Sequence, residues 1–202
     1  METFGAVLLN HVTLYNGEGV KTKVMHLAES NKLWQHPWQL SHRVHLHEAL
    51  KQTAISQNGI GRPAALHTST RVVNVDTEDA TIMLESGKII RADVVLGADG
   101  VYSKMRNFVS GHESQLHGSG KAAFRFLVER EKALRNPETA KLVKLDGEMA
   151  VWHGSDRRVV MYPCDHNRLL NFACIHPDTE SQGGADGKLQ LYMRGEGSYL
   201  HL

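Results

Sequence analysis

The stretch Val94-Val95-Leu96-Gly97-Ala98-Asp99-Gly100 decides the predicted fold. Its three consecutive apolar residues are typical of a parallel strand that is buried on both faces. A glycine turn follows directly, and ligands of open α/β sheets bind beyond the carboxyl ends of the strands. Asp99 can accept hydrogen bonds from a ribose there, or it can hold the turn by accepting from backbone N–H groups. The stretch therefore predicts an α/β fold with a dinucleotide site at residues 97–100.

Two polar residues follow this turn at a spacing that places them beside it. Ser103 and Arg106 lie within a short helical segment predicted over residues 103–109. An arginine in this position can contact a pyrophosphate through two parallel hydrogen bonds. The alternative is a solvated surface arginine with no ligand. We expect Gly97, Asp99, Gly100 and Arg106 to bind a cofactor.

A second candidate phosphate site lies at the start of a helix predicted over residues 42–56. Ser41 can cap this helix, and Asn58-Gly59 can end it. Arg43 falls in the first turn, where the N–H groups of the helix also attract anions. Three neighbouring histidines invite comparison with a metal site, but only two of them share a helix face and no acidic or thiol ligand has suitable spacing. We therefore predict no metal site.

Alternation of apolar and polar residues predicts most of the remaining structure as strands. A hairpin turns at residues 16–19, a short strand covers residues 64–69, and a β-meander spans residues 71–91. Further strands are predicted over residues 122–128, 151–152, 158–162 and 169–175, and residues 129–143 are predicted to be partly helical. The polar, glycine-rich residues 110–120 indicate a domain boundary. The predicted domains are residues 1–112 and 119–178, and residues 179–202 are predicted to form an irregular tail.

Two residues on the later strands are candidates for chemistry on a substrate. Arg125 and Tyr162, if they face one pocket, could hold and ionise a phenol or an acid. The alternatives are a salt-bridged edge residue for Arg125 and simple packing for Tyr162.

Composition excludes several classes of protein. The 202 residues carry 23 basic and 22 acidic side chains, whereas nucleic-acid-binding and membrane-surface proteins need a basic excess. Two cysteines are too few for a disulfide framework in a chain of this length, and the apolar runs are too short to span a membrane. We expect a soluble cytoplasmic protein, and its oligomeric state is not predicted.

Four motifs, in this order, resemble those of the class A FAD-dependent aromatic monooxygenases, and most closely the fungal salicylate-hydroxylase-like group. The first motif is residues 38–50, which include Arg43 and its histidines. The most specific motif is Gly97-Ala98-Asp99-Gly100-Val101-Tyr102-Ser103-Lys104-Met105-Arg106. The last two are Ala123-Phe124-Arg125 and Tyr162-Pro163, the latter followed by Leu169-Leu170-Asn171-Phe172. The resemblance covers about residues 10–178.

The resemblance implies a partial Rossmann-like FAD-binding domain with a β-meander, followed by a mixed β-sheet substrate domain. It also implies a reaction in which NAD(P)H and O₂ hydroxylate a small aromatic substrate. Arg43 would contact the FAD, and Asp99 and Gly100 would lie at the FAD and NAD(P)H site. Arg125 and Tyr162 match positions that the group uses near the substrate, and we predict them to be catalytic.

The sequence departs from the family pattern at both ends. The G-x-G-x-x-G turn that contacts the FAD pyrophosphate is not found before residue 42, and residues 183–202 do not match the later Gly-Asp turn. These departures predict a chain truncated at both ends and weak or inactive in catalysis. Two alternatives stay open, namely a non-catalytic remnant or interaction module of this fold and a different FAD- or NAD(P)-dependent oxidoreductase.

Overall fold

The computed structural model describes residues 4–59 and 61–181. Contacts divide the chain into two compact units, one built from Met1–Lys51 and Ser119–Leu202 and the other from Gln52–Gly118. The strands, in chain order, are β1 (Val7–Leu8), β2 (His11–Asn16), β3 (Lys21–His26), β4 (Gln39–Leu40), β5 (Val72–Asp76), β6 (Thr81–Leu84), β7 (Ile89–Arg91), β8 (Lys121–Glu129), β9 (Glu148–His153), β10 (Arg158–Cys164) and β11 (Leu169–Pro177). The helices are α1 (Ala28–Leu33), α2 (Arg43–Ile55), α3 (Met105–Ser110), α4 (Arg130–Arg135) and α5 (Pro137–Val143).

The first unit is built on a six-stranded sheet with the strand order β3-β2-β9-β10-β11-β8. All neighbours are antiparallel except β2 and β9, which are parallel. Short turns explain the antiparallel pairs β2–β3, β9–β10 and β10–β11, and the turn at residues 16–19 closes the predicted β2–β3 hairpin. Strands β1 and β4 form a separate two-stranded sheet in the same unit.

Apolar side chains pack on both faces of the six-stranded sheet. One cluster contains Ala150, Met161 and Leu170, and Leu142 and Val143 of α5 pack against it. The other cluster contains Leu9 and three neighbours, with Tyr162 packed at its margin. Successive residues of a strand point to opposite faces, so Met161 and Tyr162 belong to different clusters. Both faces of the sheet therefore carry a buried apolar cluster, and Tyr162, at the margin of the second cluster, is half-buried.

The second unit contains the β-meander and α3. Strands β5, β6 and β7 pair antiparallel in sequence order, as predicted. Val75 and Leu84 are its buried apolar residues among those described. Helix α3 ends at Gly111, which has a φ of 71°, a left-handed conformation that glycine adopts readily.

Two strand predictions in the second unit are wrong. Residues 94–96 and residues 64–69 have no strand structure. The side chains of Val94 and Leu96 are 69% and 86% exposed, rather than buried. A buried parallel strand needs a neighbour on each side, and within the described residues no strand pairs with this segment. The apolar run has the local pattern of a strand, but the run alone does not determine whether neighbouring strands are present.

The mixed α/β fold class is confirmed, and the first unit is discontinuous along the chain. Among the described residues, 4–51 join 119–181, because β2 pairs in parallel with β9 and thereby becomes part of the sheet. The second unit ends at Gly118, and the predicted domains over residues 1–112 and 119–178 stay a prediction. Assignment of the units to FAD and substrate stays a prediction. Residues 178–181 form a 3₁₀ turn, and the rest of the predicted tail, residues 182–202, lies outside the described residues.

Candidate functional site

The turn at residues 97–106 is held by the carboxylate of Asp99. Its Oδ1 accepts a hydrogen bond from the Ser103 hydroxyl at 2.6 Å, and its Oδ2 accepts from the N–H groups of Lys104 and Met105 at 2.7 and 3.1 Å. These bonds, the Ser103 bond first, lower the pKa of Asp99 to about 2. Of the two roles that the sequence left open, the structure shows the turn-holding role.

The turn also explains why a glycine stands at position 97 and why the side chain of Arg106 is not extended. A Cβ on Gly97 would lie 2.7 Å from Cβ of Met105, so the close approach of turn and helix requires glycine. Arg106 is folded back on the turn, since its Nη2 donates to the carbonyls of Gly100 and Val101 at 3.4 and 3.2 Å. A pyrophosphate contact was predicted for Arg106, and any such contact would compete with these bonds.

Arg43 is the first residue of α2 and its side chain is exposed. The N–H of Leu46 donates to the carbonyl of His42 at 3.1 Å, so the helix starts one residue later than predicted. The N–H groups of a first helical turn have no partner within the helix. A charged guanidinium beside such groups is suited to a phosphate, and the phosphate contact of Arg43 stays a prediction.

The six-stranded sheet brings Arg125 and Tyr162 to one face. Tyr162 of β10 lies opposite Asn171 of β11, and Arg125 of β8 lies opposite Ala173, two residues along β11. Directly paired residues and alternate residues along one strand share a face. Arg125 and Tyr162 are 37 residues apart in the chain, and only the intervening strand β11 makes them neighbours.

The charge of Arg125 acts on the phenol of Tyr162. Burial raises the pKa of Tyr162, and Cys164 raises it further, whereas Arg125 lowers it. Burial dominates, so the pKa of Tyr162 lies above its usual value and the side chain is a neutral hydrogen-bond donor near pH 7. Among the described residues, Arg125 has neither an ion pair nor a hydrogen bond with a protein group.

Asn171 is a polar residue of this face that was missed at the sequence level. Its Oδ1 is buried and has no hydrogen-bond partner among the described residues. Buried polar atoms are nearly always paired, so an unpaired amide marks a candidate for ligand contact. The signal in the sequence is a lone polar residue in the apolar run Leu169-Leu170-Asn171-Phe172-Ala173. Asn171, Arg125 and Tyr162 together form the polar face of the sheet.

Within the described residues, no three histidine, cysteine, aspartate or glutamate residues are grouped so as to hold a metal ion. The rings of His42 and His45 contact each other with centroids 4.5 Å apart. None of the described helices combines the length and the apolar character that a membrane crossing requires.

Known proteins similar in sequence are mostly fungal FAD-dependent monooxygenases. The FAD-dependent monooxygenase phomE′ of Diaporthe leptostromiformis is 31% identical over 175 residues, which are 85% of this chain and 44% of that protein. Hispidin-3-hydroxylase of Neonothopanus nambi is 30% identical over 161 residues, 74% of this chain and 38% of the relative. The chain thus spans less than half the length of these relatives. No family model matches it.

Solved structures support the same fold. Klebsiella pneumoniae HpxO in complex with FAD and uric acid superimposes with a TM-score of 0.64 and 21% identity, covering 88% of this chain and 42% of HpxO. CtdE in complex with FAD and a substrate gives a TM-score of 0.65 at 19% identity, covering 85% of this chain and 40% of CtdE. At these identities the likeness concerns the fold alone. Together with the sequence matches, it confirms the resemblance predicted from the motifs: over the residues that it covers, the chain is related to the FAD-dependent monooxygenases.

Proposed function

We propose that the chain is part of an FAD-dependent monooxygenase that hydroxylates a small aromatic substrate with NAD(P)H and O₂. The observation that carries this proposal is the polar face of the sheet, where Arg125, Tyr162 and Asn171 lie on one face of three neighbouring strands. Three named relatives support the substrate class: hispidin-3-hydroxylase, 3-hydroxybenzoate 6-hydroxylase of Klebsiella oxytoca, and HpxO with uric acid. The compound named with each of these proteins contains a ring that bears oxygen.

The start of α2 is better suited to bind the diphosphate of a dinucleotide than the side chains of the turn at residues 97–106 are. Arg43 offers an exposed guanidinium beside the unpaired N–H groups of the α2 start, which suits a diphosphate. At residues 97–106, Asp99 and Arg106 are engaged within the turn. We therefore expect contact there through the backbone at Gly97 and Gly100, with Asp99 and Arg106 shaping the turn. FAD, when bound, supplies the redox and oxygen chemistry, because amino-acid side chains cannot.

Arg125 and Tyr162 act on the substrate in this proposal. The guanidinium of Arg125 pairs with a carboxylate or a phenolate on the ring and thereby favours its ionised form. The phenol of Tyr162, neutral near pH 7, donates a hydrogen bond to a ring oxygen. Both residues orient the ring on the sheet. Two unbridged cysteines agree with a reducing cytoplasm, and this location stays a prediction.

The test is binding of 3-hydroxybenzoate to the 202-residue chain, measured by calorimetry. We expect Arg125→Gln to weaken binding about tenfold or more, because a charge-assisted hydrogen bond contributes roughly 1.5–3 kcal/mol. Tyr162→Phe should weaken it less. The matched control is Arg135→Gln, since Arg135 is a surface arginine of α4 paired with Glu131 in the same unit. Equal affinities of the wild-type chain and Arg125→Gln would contradict the proposal. NAD(P)H oxidation by the chain with added FAD tests the reaction class.

A further inference from the structure

A buried carboxylate at the β10–β11 turn belongs to none of the predicted sites. Asp165 is 6% exposed, and three basic side chains surround its carboxylate. Nη2 of Arg168 lies 2.8 Å from Oδ2, Nδ1 of His45 lies 3.4 Å from Oδ1, and Nδ1 of His166 lies 3.6 Å from Oδ1. His45 comes from α2, whereas the other two come from the turn itself. The carboxylate therefore links a helix to a sheet turn.

The turn that carries Asp165 is strained. Asp165, His166 and Asn167 have φ values of 50°, 54° and 61°, a left-handed conformation that residues other than glycine rarely adopt in succession. Such strain persists only where surrounding contacts determine the conformation. The contacts here are the ion pair with Arg168 and the bond from the His166 N–H to the carbonyl of Gly5 at 2.9 Å. The turn thus holds the carboxylate in one direction, toward α2.

The helical end of this link is the first turn of α2. His45 is the third residue of the helix, and Arg43 is the first. The ring of His42 also packs against that of His45, with an angle of 72° between the ring planes. A contact from Asp165 to His45 therefore fixes the same helical turn that presents Arg43 and the unpaired N–H groups. The side chain of Arg43 itself is exposed.

We propose that Asp165 is a positioning residue that holds the first turn of α2, and with it Arg43, in place for the diphosphate of a dinucleotide. This inference rests on the proposed contact between Arg43 and FAD. Pre-ordering of a binding group reduces the entropy lost on binding, so the anchor raises affinity without touching the ligand. Asp165 acts through α2 and is not a catalytic residue.

The charges around Asp165 keep the anchor ionised at neutral pH. Burial raises the pKa of Asp165, but the hydrogen bond and charge of Arg168, followed by His45 and His166, outweigh burial and lower it. On the helix side, burial first, then His45 and Arg43, lower the pKa of His42, and Asp165 opposes them. Cys164, buried next to the turn, has a pKa raised to about 11 by burial and then by Asp165, so it adds no charge.

The first test measures hydrogen exchange at the Leu46 amide, which closes the first turn of α2. We expect Asp165→Asn and His45→Ala to speed exchange about tenfold, because local opening needs less free energy once the anchor is lost. His45→Ala leaves the sheet turn intact, so it keeps the test valid if the Asp165 variant fails to fold. The matched control is Asp146→Asn, which removes another carboxylate that is paired with an arginine of the same unit. Unchanged Leu46 exchange in a folded His45→Ala variant would overturn the proposal.

The second test measures FAD affinity by quenching of flavin fluorescence, in a double-mutant cycle of Asp165→Asn and Arg43→Gln. If Asp165 acts through Arg43, each single variant weakens binding about tenfold and the double variant is hardly weaker than Arg43→Gln. Additive losses would contradict action through Arg43. If Arg43→Gln binds FAD as the wild-type chain does, or if the wild-type chain does not bind FAD, the proposed FAD contact fails, and the Leu46 exchange alone decides whether Asp165 anchors the helix.

Discussion

The polar face of the sheet and the turn at residues 97–106 use their polar groups in opposite ways. On the sheet, Asn171 has an unpaired amide oxygen and Arg125 has no hydrogen bond or ion pair within the described residues. In the turn, Asp99 accepts three hydrogen bonds and Arg106 donates to two carbonyls of its own turn. Groups already paired within the protein gain little from a ligand. The comparison therefore supports the proposed roles, in which the sheet recognises a ligand through side chains and the turn through its backbone.

The largest expected effect tests whether the sheet depends on its core. Leu170 is 2% exposed and points to the face opposite Arg125, Tyr162 and Asn171. Leu170→Ala should lower the free energy of unfolding by about 3 kcal/mol, through lost burial and the cavity left behind. Urea unfolding, followed by the fluorescence of Trp152 in the same cluster, measures the change. A loss below about 1 kcal/mol would mean that this face is not a packed core.

A somewhat smaller effect tests whether the turn requires the close approach at Gly97. Gly97→Ala should destabilise the turn and α3 by about 1–3 kcal/mol, because its Cβ would clash with Cβ of Met105. Hydrogen exchange at the Gly111 amide, which closes α3, reports the loss. Gly118→Ala is the matched control, since a Cβ there meets nothing within 4 Å. Equal exchange in the two variants would refute the packing argument.

A still smaller effect, of the opposite sign, tests whether the sheet retains a polar group for a ligand. Asn171→Leu should leave the fold unchanged or stabilise it by about 1 kcal/mol, because a buried amide without a partner costs free energy that a similar apolar side chain does not. The same variant should weaken 3-hydroxybenzoate binding. Thermal unfolding and calorimetry measure the two effects. Destabilisation by more than about 1 kcal/mol would indicate that Asn171 serves the fold.

The smallest effect concerns the pH dependence of the turn. The pKa of Asp99 is lowered from 3.8 to about 2, so its bonds are complete above about pH 4 and are lost as the pH falls toward about 2. In an NMR titration from neutral to acidic pH, the amide signals of Lys104 and Met105 should keep the chemical shifts they have at pH 7 until about pH 3. Asp99→Asn, which cannot titrate, is the control. A midpoint near the ordinary 3.8 would mean that the carboxylate is not engaged in solution.

The local elements could be predicted because their causes are short-range. The β2–β3 hairpin, the meander, α2 and α3 all follow from periodicity and turn residues within about 15 positions of one another. The strand prediction for residues 94–96 was wrong for the same reason. Their apolar run has the local form of a buried strand, but burial depends on neighbouring strands that the run does not contain.

The sequence by itself determined the family resemblance, the glycine turn and the presence of Arg43, Arg125 and Tyr162. The tertiary structure alone decided how they are arranged. It joined β2 to β9 across more than 130 residues, placed Arg125 and Tyr162 on one face through β11, and engaged Asp99 within its turn. It also brought Asp165 to His45. The physical reason is that strand register and burial are set by contacts between distant segments, whereas propensity and turn chemistry act only between near neighbours.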